Sequence, residues 1–341
     1  MAVELANWTA LVIDFRYHLV SIIAVFLALA VGLLVGSTAL SGTATDVLRH
    51  AQSAAVARNE ALNKANKQLS QQVSADQAFA QAGSQRLLGG LLAGENVVLV
   101  LAPNEDSDMV SAMTAALGRA GAKVTGQIQL TQQFMQTTGP VESSLTELAQ
   151  SLAPQAAVNL PSQASDQAVA GQQDAAAVIA ASLLARPGSS LARSGAQAIL
   201  NGFARNGYLT VGPSGVTTPA PAGLAVLVTP AGQPPQTGND SQVLVAVAQE
   251  LQAAGDGTVM AGPVSAIGSG SAIQLENHAG QVSTVDNADT ESGQIMVVQA
   301  LRLLLDGKTP DSYGIEPGAA PSPAPVPSVS PSTTVPGGTG G

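Results

Sequence analysis

Met109 and Met113, with the acidic residues just before them (Glu105, Asp106 and Asp108), come nearest to metal chemistry in this chain. Four residues apart on a helix puts both sulfurs on one face, and thioethers are soft ligands that suit Cu(I). Carboxylates are hard donors and suit cations such as Ca²⁺ or Mg²⁺ when several converge. Each feature also has a plainer account. Methionine at helical spacing fills cores, and acids at a helix start cap the backbone and offset its dipole. The plainer accounts are favoured, and the metal role of these five residues stays an open candidate.

A second acidic group lies in "STVDNADTESG", residues 283–293, which carries Asp286, Asp289 and Glu291. Here too a helix start explains the composition: Asp289 or Thr290 would cap, and Glu291 would sit in the first turn. The histidines, His18, His50 and His278, are scattered, and no two have metal-ligand spacing. There is no cysteine, which removes disulfides, thiolate metal sites and cysteine nucleophiles together. No nucleophile elbow, Walker loop, H-E-x-x-H or G-x-G-x-x-G is present. The residues point away from an enzyme, and no cofactor is evident.

The elements that must position these residues form an α/β pattern. Residues 97–102, "VVLVLA", are a continuous apolar run ended by Pro103, which predicts a buried parallel strand. A helix follows over 107–120 with Gly121 as its stop, then a strand over 124–130, which makes a βαβ unit. Helices are expected around Ala149, over 174–185 and over 191–204. Strands are expected over 224–228, 258–261 and 282–285. The first of these precedes a helix over 240–254, the second an irregular Gly/Ser stretch, and the third a helix over 290–305. The sum is an open, mostly parallel sheet with flanking helices. In such a sheet the ligand crevice lies beyond the carboxyl ends of the strands, where Glu105, Asp106 and Asp108 fall.

N-terminal to this domain, Leu19 to Leu40 carries no charged residue. About 20 apolar residues cross the hydrocarbon core of a bilayer, so this predicts a single transmembrane helix. A cleaved signal has a shorter apolar region, which favours an uncleaved anchor. Ala24, Ala28, Gly32 and Gly36 form a small-residue stripe that ends in a G-x-x-x-G pair, a pattern that lets two helices approach closely. Chance spacing in an Ala-rich chain accounts for the stripe equally well. From Asp46 to Ala82 the chain is polar and free of Pro and Gly. Leu48, Ala55, Leu62 and Leu69 recur at seven residues beside Gln52, Asn59, Asn66 and Val73. That predicts a short coiled coil, favouring a homodimer, over a single solvated helix.

The boundaries expected are a short N-terminal segment (1–18), the transmembrane helix (19–40), the coil (41–82), the α/β domain (83–315) and a disordered Pro/Ser/Gly-rich tail (316–341). Acidic residues number 23 against 13 Lys plus Arg, a net charge of −10 that argues against nucleic acid as a partner. Arg16 stands on one side of the span, and Arg49, Arg58, Lys64 and Lys67 follow on the other. A literal positive-inside count therefore gives no support to an outward-facing domain.

Residues 13–37, "IDFRYHLVSIIAVFLALAVGLLVGS", resemble the start of the actinobacterial copper transporter family, that of the mycobacterial copper transport protein B. The likeness continues through "IQLTQQFM" (residues 128–135) and "STVDNADTESGQIMVVQAL" (residues 283–301) and covers Ile13 to Gly314. It implies a cell-envelope protein of copper efflux or homeostasis, with its N-terminus inside and its bulk outside the cytoplasm. Copper enters by this resemblance alone. A related branch implies the alternative of a dimeric envelope scaffold or regulator in cell separation and cell-wall maintenance, working with a membrane or remodelling partner protein.

Overall fold

Apolar residues at every position of a strand demand cover on both faces, and β1 (Asn96–Leu101) has it: all five residues after Asn96 are buried. A computed structural model describes residues 4–161, 169–184, 191–212, 221–231 and 239–323. By internal contacts the chain forms two units, Met1–Ser74 and Ala75–Gly341.

In the second unit β1 is followed by α2 (Ser107–Arg119), β2 (Lys123–Leu130), α3 (Gly139–Ala156), α4 (Ala170–Leu183) and α5 (Arg193–Arg205). Then come β3 (Leu209–Val211), β4 (Leu224–Val228), α6 (Asp240–Ala254), β5 (Gly257–Ala261) and α7 (Ala272–Ala279). The order closes with β6 (Ser283–Val285), α8 (Glu291–Leu305) and β7 (Ser312–Tyr313). The strands lie in the order β3-β2-β1-β4-β5-β6-β7, and every neighbouring pair is parallel except β2 and β3. The open, mostly parallel α/β sheet expected from the sequence is therefore the observed fold.

Side chains alternate across this sheet and divide the core in two. Val98, Val100, Ala225, Leu227 and Met260 join the helices α3 to α7 on one face. Val97, Leu99, Leu101, Leu224, Val226 and Val259 join α2 and α8 on the other, together with Leu88 and Leu92. On that second face Arg119 of α2 meets Glu291 of α8 at 2.5 Å. The bulge between Val97 and Val98 sets the register of β2 from there on, pairing Leu99 with Gln127 and Leu101 with Gln129.

Some details differ from the pattern read in the sequence. The short β3 is an antiparallel edge strand between α5 and β4, and a run of three residues leaves too little periodicity to read. The Gly/Ser stretch after β5 gives way to α7, started by Ser271, whose side chain accepts from Gln274 N. Part of the Pro-rich segment also belongs to the fold: Ala320 N donates to Ser312 O at 2.8 Å, and Gly314 N to Ala320 O at 2.9 Å. The rest of that tail, from residue 324, lies outside the described residues.

The first unit is dominated by α1 (Glu4–Leu88), whose final residues belong to the second unit. Within it Arg16–Ser37 is long and apolar enough to cross a membrane, and none of that segment is buried. The expected span of 19–40 matches it up to Ser37; the side chains of 38–40 lie outside the described residues.

Candidate functional site

Each of the candidate ligands finds a specific place. Asp106 is the N-cap of α2, its Oδ1 accepting from Asp108 N at 2.9 Å and from Met109 N at 3.5 Å. Glu105 turns the other way, and its Oε2 accepts from Gln129 Nε2 of β2 at 2.6 Å. Asp108 is exposed in the first turn of α2, where a negative charge complements the helix dipole. Met109 (3% exposed) and Met113 (0%) lie in the apolar core with Leu99, Val226 and Leu301. The loop carboxylates thus diverge, and the thioethers sit in the core.

The second acidic group is likewise dispersed. Asp286, 1% exposed, accepts from Ile315 N at 2.8 Å and Glu316 N at 2.7 Å. Gly314 sits against it at φ +133°, where a Cβ would collide with the Asp286 carboxylate. Asp289 Oδ1 accepts from Val264 N at 3.0 Å, and Thr290 caps α8 by accepting from Gly293 N at 3.1 Å. Burial raises the Glu316 carboxyl above its ordinary range and the nearby Asp286 adds to this, while the hydrogen bond from Asn277 and the nearby His278 oppose it. His278 Nδ1 contacts Gln274 O at 2.7 Å, a bond within its own helix. Among the described residues, no group of three or more His, Asp or Glu side chains converges in a way that could hold a metal ion.

What the loop after β1 does border is a cleft of about 460 Å³ between α2 and the strands β2 and β3. Glu105 stands at this cleft, which also takes in Leu101, Val110, Ser111, Gln127, Gln129 and Thr210. The sequence carries its signal in "KVTGQIQL", where Gln127 and Gln129 alternate with Ile128 and Leu130. Only the bulge in the register and the antiparallel β3 bring that polar row beside the helix.

On α1 the small-residue stripe of Ala24, Ala28, Gly32 and Gly36 is exposed. A Cβ placed on Gly32 or Gly36 would meet nothing within 4 Å. Further along, Leu48 (69% exposed), Leu62 (59%), Leu69 (59%) and Val73 (51%) leave the heptad seam open as well. Asn63 Nδ2 donates to Asn59 Oδ1 at 2.7 Å beside this seam.

Comparison with known proteins adds the family. A family model described as "Copper transport outer membrane protein, MctB" matches residues 12–323. Copper transporter MctB of Mycobacterium leprae is 30% identical over 315 residues, covering 90% of this chain and 98% of that protein. The proteins of the same name from Mycobacterium tuberculosis and Mycobacterium bovis are each 29% identical over 314 residues, with the same shares covered. With nearly all of its length matched, from the apolar helix through the last strand of the sheet, the chain belongs to the MctB family of copper transport proteins.

Proposed function

We propose that this protein serves copper efflux or homeostasis in the cell envelope as a self-associating, membrane-anchored chain with a non-catalytic role. The observation that carries the reading is the exposed apolar helix Arg16–Ser37. One helix anchors a chain but cannot enclose a path for an ion, because the backbone and any polar cargo need a surrounding wall inside lipid. Copper passage would therefore require several copies, or a partner that supplies the remaining wall.

The open stripe at Ala24, Ala28, Gly32 and Gly36 and the heptad seam at Leu48, Leu62 and Leu69 both suit pairing with a second copy. The relatives' names supply the cargo, and the family resemblance supplies an orientation with the bulk of the chain outside the cytoplasm. Deleting the gene tests the copper role: cellular copper should rise, and unchanged copper would overturn it.

The same open seam supports a second reading, a dimeric scaffold or regulator of cell separation whose coil meets a membrane or cell-wall remodelling partner. Removal of residues 46–82 would then leave cells chained, and normal separation would refute it.

A further inference from the structure

The geometry points to the cleft beside α2 as a binding site for an uncharged glycan segment. This goes beyond the copper role and does not depend on it. Ser107, Ser111 and Thr114 follow one another at helical spacing down the side of α2 that borders the cleft, and together they form a hydroxyl wall. Facing them, Gln127 is registered with Leu99, and Gln129 lies between Leu101 and Thr210 across the sheet. The opposite wall is therefore a row of amides that ends in a hydroxyl. Between the walls, Leu101 and Val110, each 6% exposed, form the apolar floor of the cleft.

Hydrogen-bonding capacity is left over here. Thr114 Oγ1 donates back to Val110 O at 2.8 Å, and Gln129 donates to Glu105. The side chains of Ser107, Ser111, Gln127 and Thr210 make no hydrogen bond to the described residues. Hydroxyls and amides both donate and accept, which suits partners that do the same.

Charge narrows the class further. Among the described residues no Lys, Arg or His borders the cleft, and Glu105 is the one ionisable side chain that lines it. A phosphorylated or acidic ligand would meet a carboxylate with no compensating cation. A sugar ring fits the remaining pattern: hydroxyls around its rim meet the polar walls, and its C–H faces lie on Leu101 and Val110. A volume of about 460 Å³ is within the ordinary range of small-ligand sites.

Saturation-transfer NMR on the full chain in detergent micelles provides the test, with tri-N-acetylchitotriose and maltotriose as neutral glycan probes. A neutral tripeptide and methyl phosphate, whose methyl protons report transfer, serve as the competing chemistries. Transfer to at least one glycan is expected, and removing one hydrogen-bonding group should weaken it about fivefold. The variants are Ser111→Leu, which also fills the cleft, and the near-isosteric Gln127→Glu. Ala115→Leu, on the same helix but outside the cleft, should bind as the parent does. Four outcomes would overturn the assignment: no transfer to either glycan at about 10 mM probe, transfer to the tripeptide alone, transfer to methyl phosphate alone, or glycan transfer that both cleft variants leave unchanged.

Discussion

Gln129 of β2 donates its amide to the Glu105 carboxylate at 2.6 Å, and this bond separates Glu105 from the other acids of its loop. Asp106 is turned into the helix start and Asp108 into solvent, so three neighbouring acids have three different partners. An acidic loop at the mouth of a sheet therefore acts here as a cap, a strand tie and a dipole complement.

The cap should be worth about 1 kcal/mol, the usual effect of replacing an N-cap Asp by Ala. Asp106→Ala is expected to lower the denaturation midpoint, and Asp106→Asn to retain most of it, because the amide oxygen still accepts from Asp108 N. Equal losses in both variants would show that the charge, not the acceptor, matters.

Met113 is fully buried, so Met113→Ala should destabilise by about 2–5 kcal/mol, whereas Met113→Leu should cost less than about 1.5. The decisive readout is metal content. If the thioethers serve as packing, Met109→Leu with Met113→Leu leaves any copper bound by the purified chain unchanged. Loss of a bound copper ion in this double variant would restore the methionines as ligands.

Arg119 and Glu291 join α2 to α8 at 2.5 Å, with side chains 26% and 13% exposed. The Arg119 Nε atom is buried and lacks a hydrogen bond among the described residues, so the pair is only partly satisfied. Removing Glu291 alone should therefore destabilise more than replacing both partners with apolar residues. A double-mutant cycle with Arg119→Met and Glu291→Leu checks this. Strictly additive effects would mean the pair adds nothing.

Burial raises the Glu250 carboxyl above its ordinary value, and Asp174 adds to this while the hydrogen bond from Gln173 opposes it. The folded chain then holds a proton that the unfolded chain releases at a lower pH. Its contribution is fully present below the unfolded value and fades as pH rises through the folded one. Glu250→Gln keeps an acceptor for Gln173 and should flatten this fall in thermal stability above about pH 4.5. Parallel stability curves for parent and variant would contradict the assignment.

The chain shows which parts of a fold a sequence can express. Buried strands such as 97–101 and 224–228 declare themselves because unbroken Val and Leu require cover on two faces. The cap at Thr290 was legible for a similar local reason: its chemistry involves only the next three residues. The antiparallel β3 and the two-residue β7 were not, since each is held by pairing with residues far away in sequence. The cleft was hidden for the same reason. Gln127 and Gln129 read as an ordinary polar alternation until the Val97/Val98 bulge and the pairing with Thr210 place them opposite Ser111.

Under the proposed function, copper handling depends on self-association of the anchored chain through its open seam. The most direct measurement is cellular copper in a deletion strain that expresses either the full chain or the Leu62→Asp, Leu69→Asp variant at equal membrane abundance. The self-association account predicts that copper rises on deletion, returns to normal with the full chain, and stays high with the seam variant. Normal copper in cells carrying the seam variant, with that protein shown to be monomeric, would contradict it.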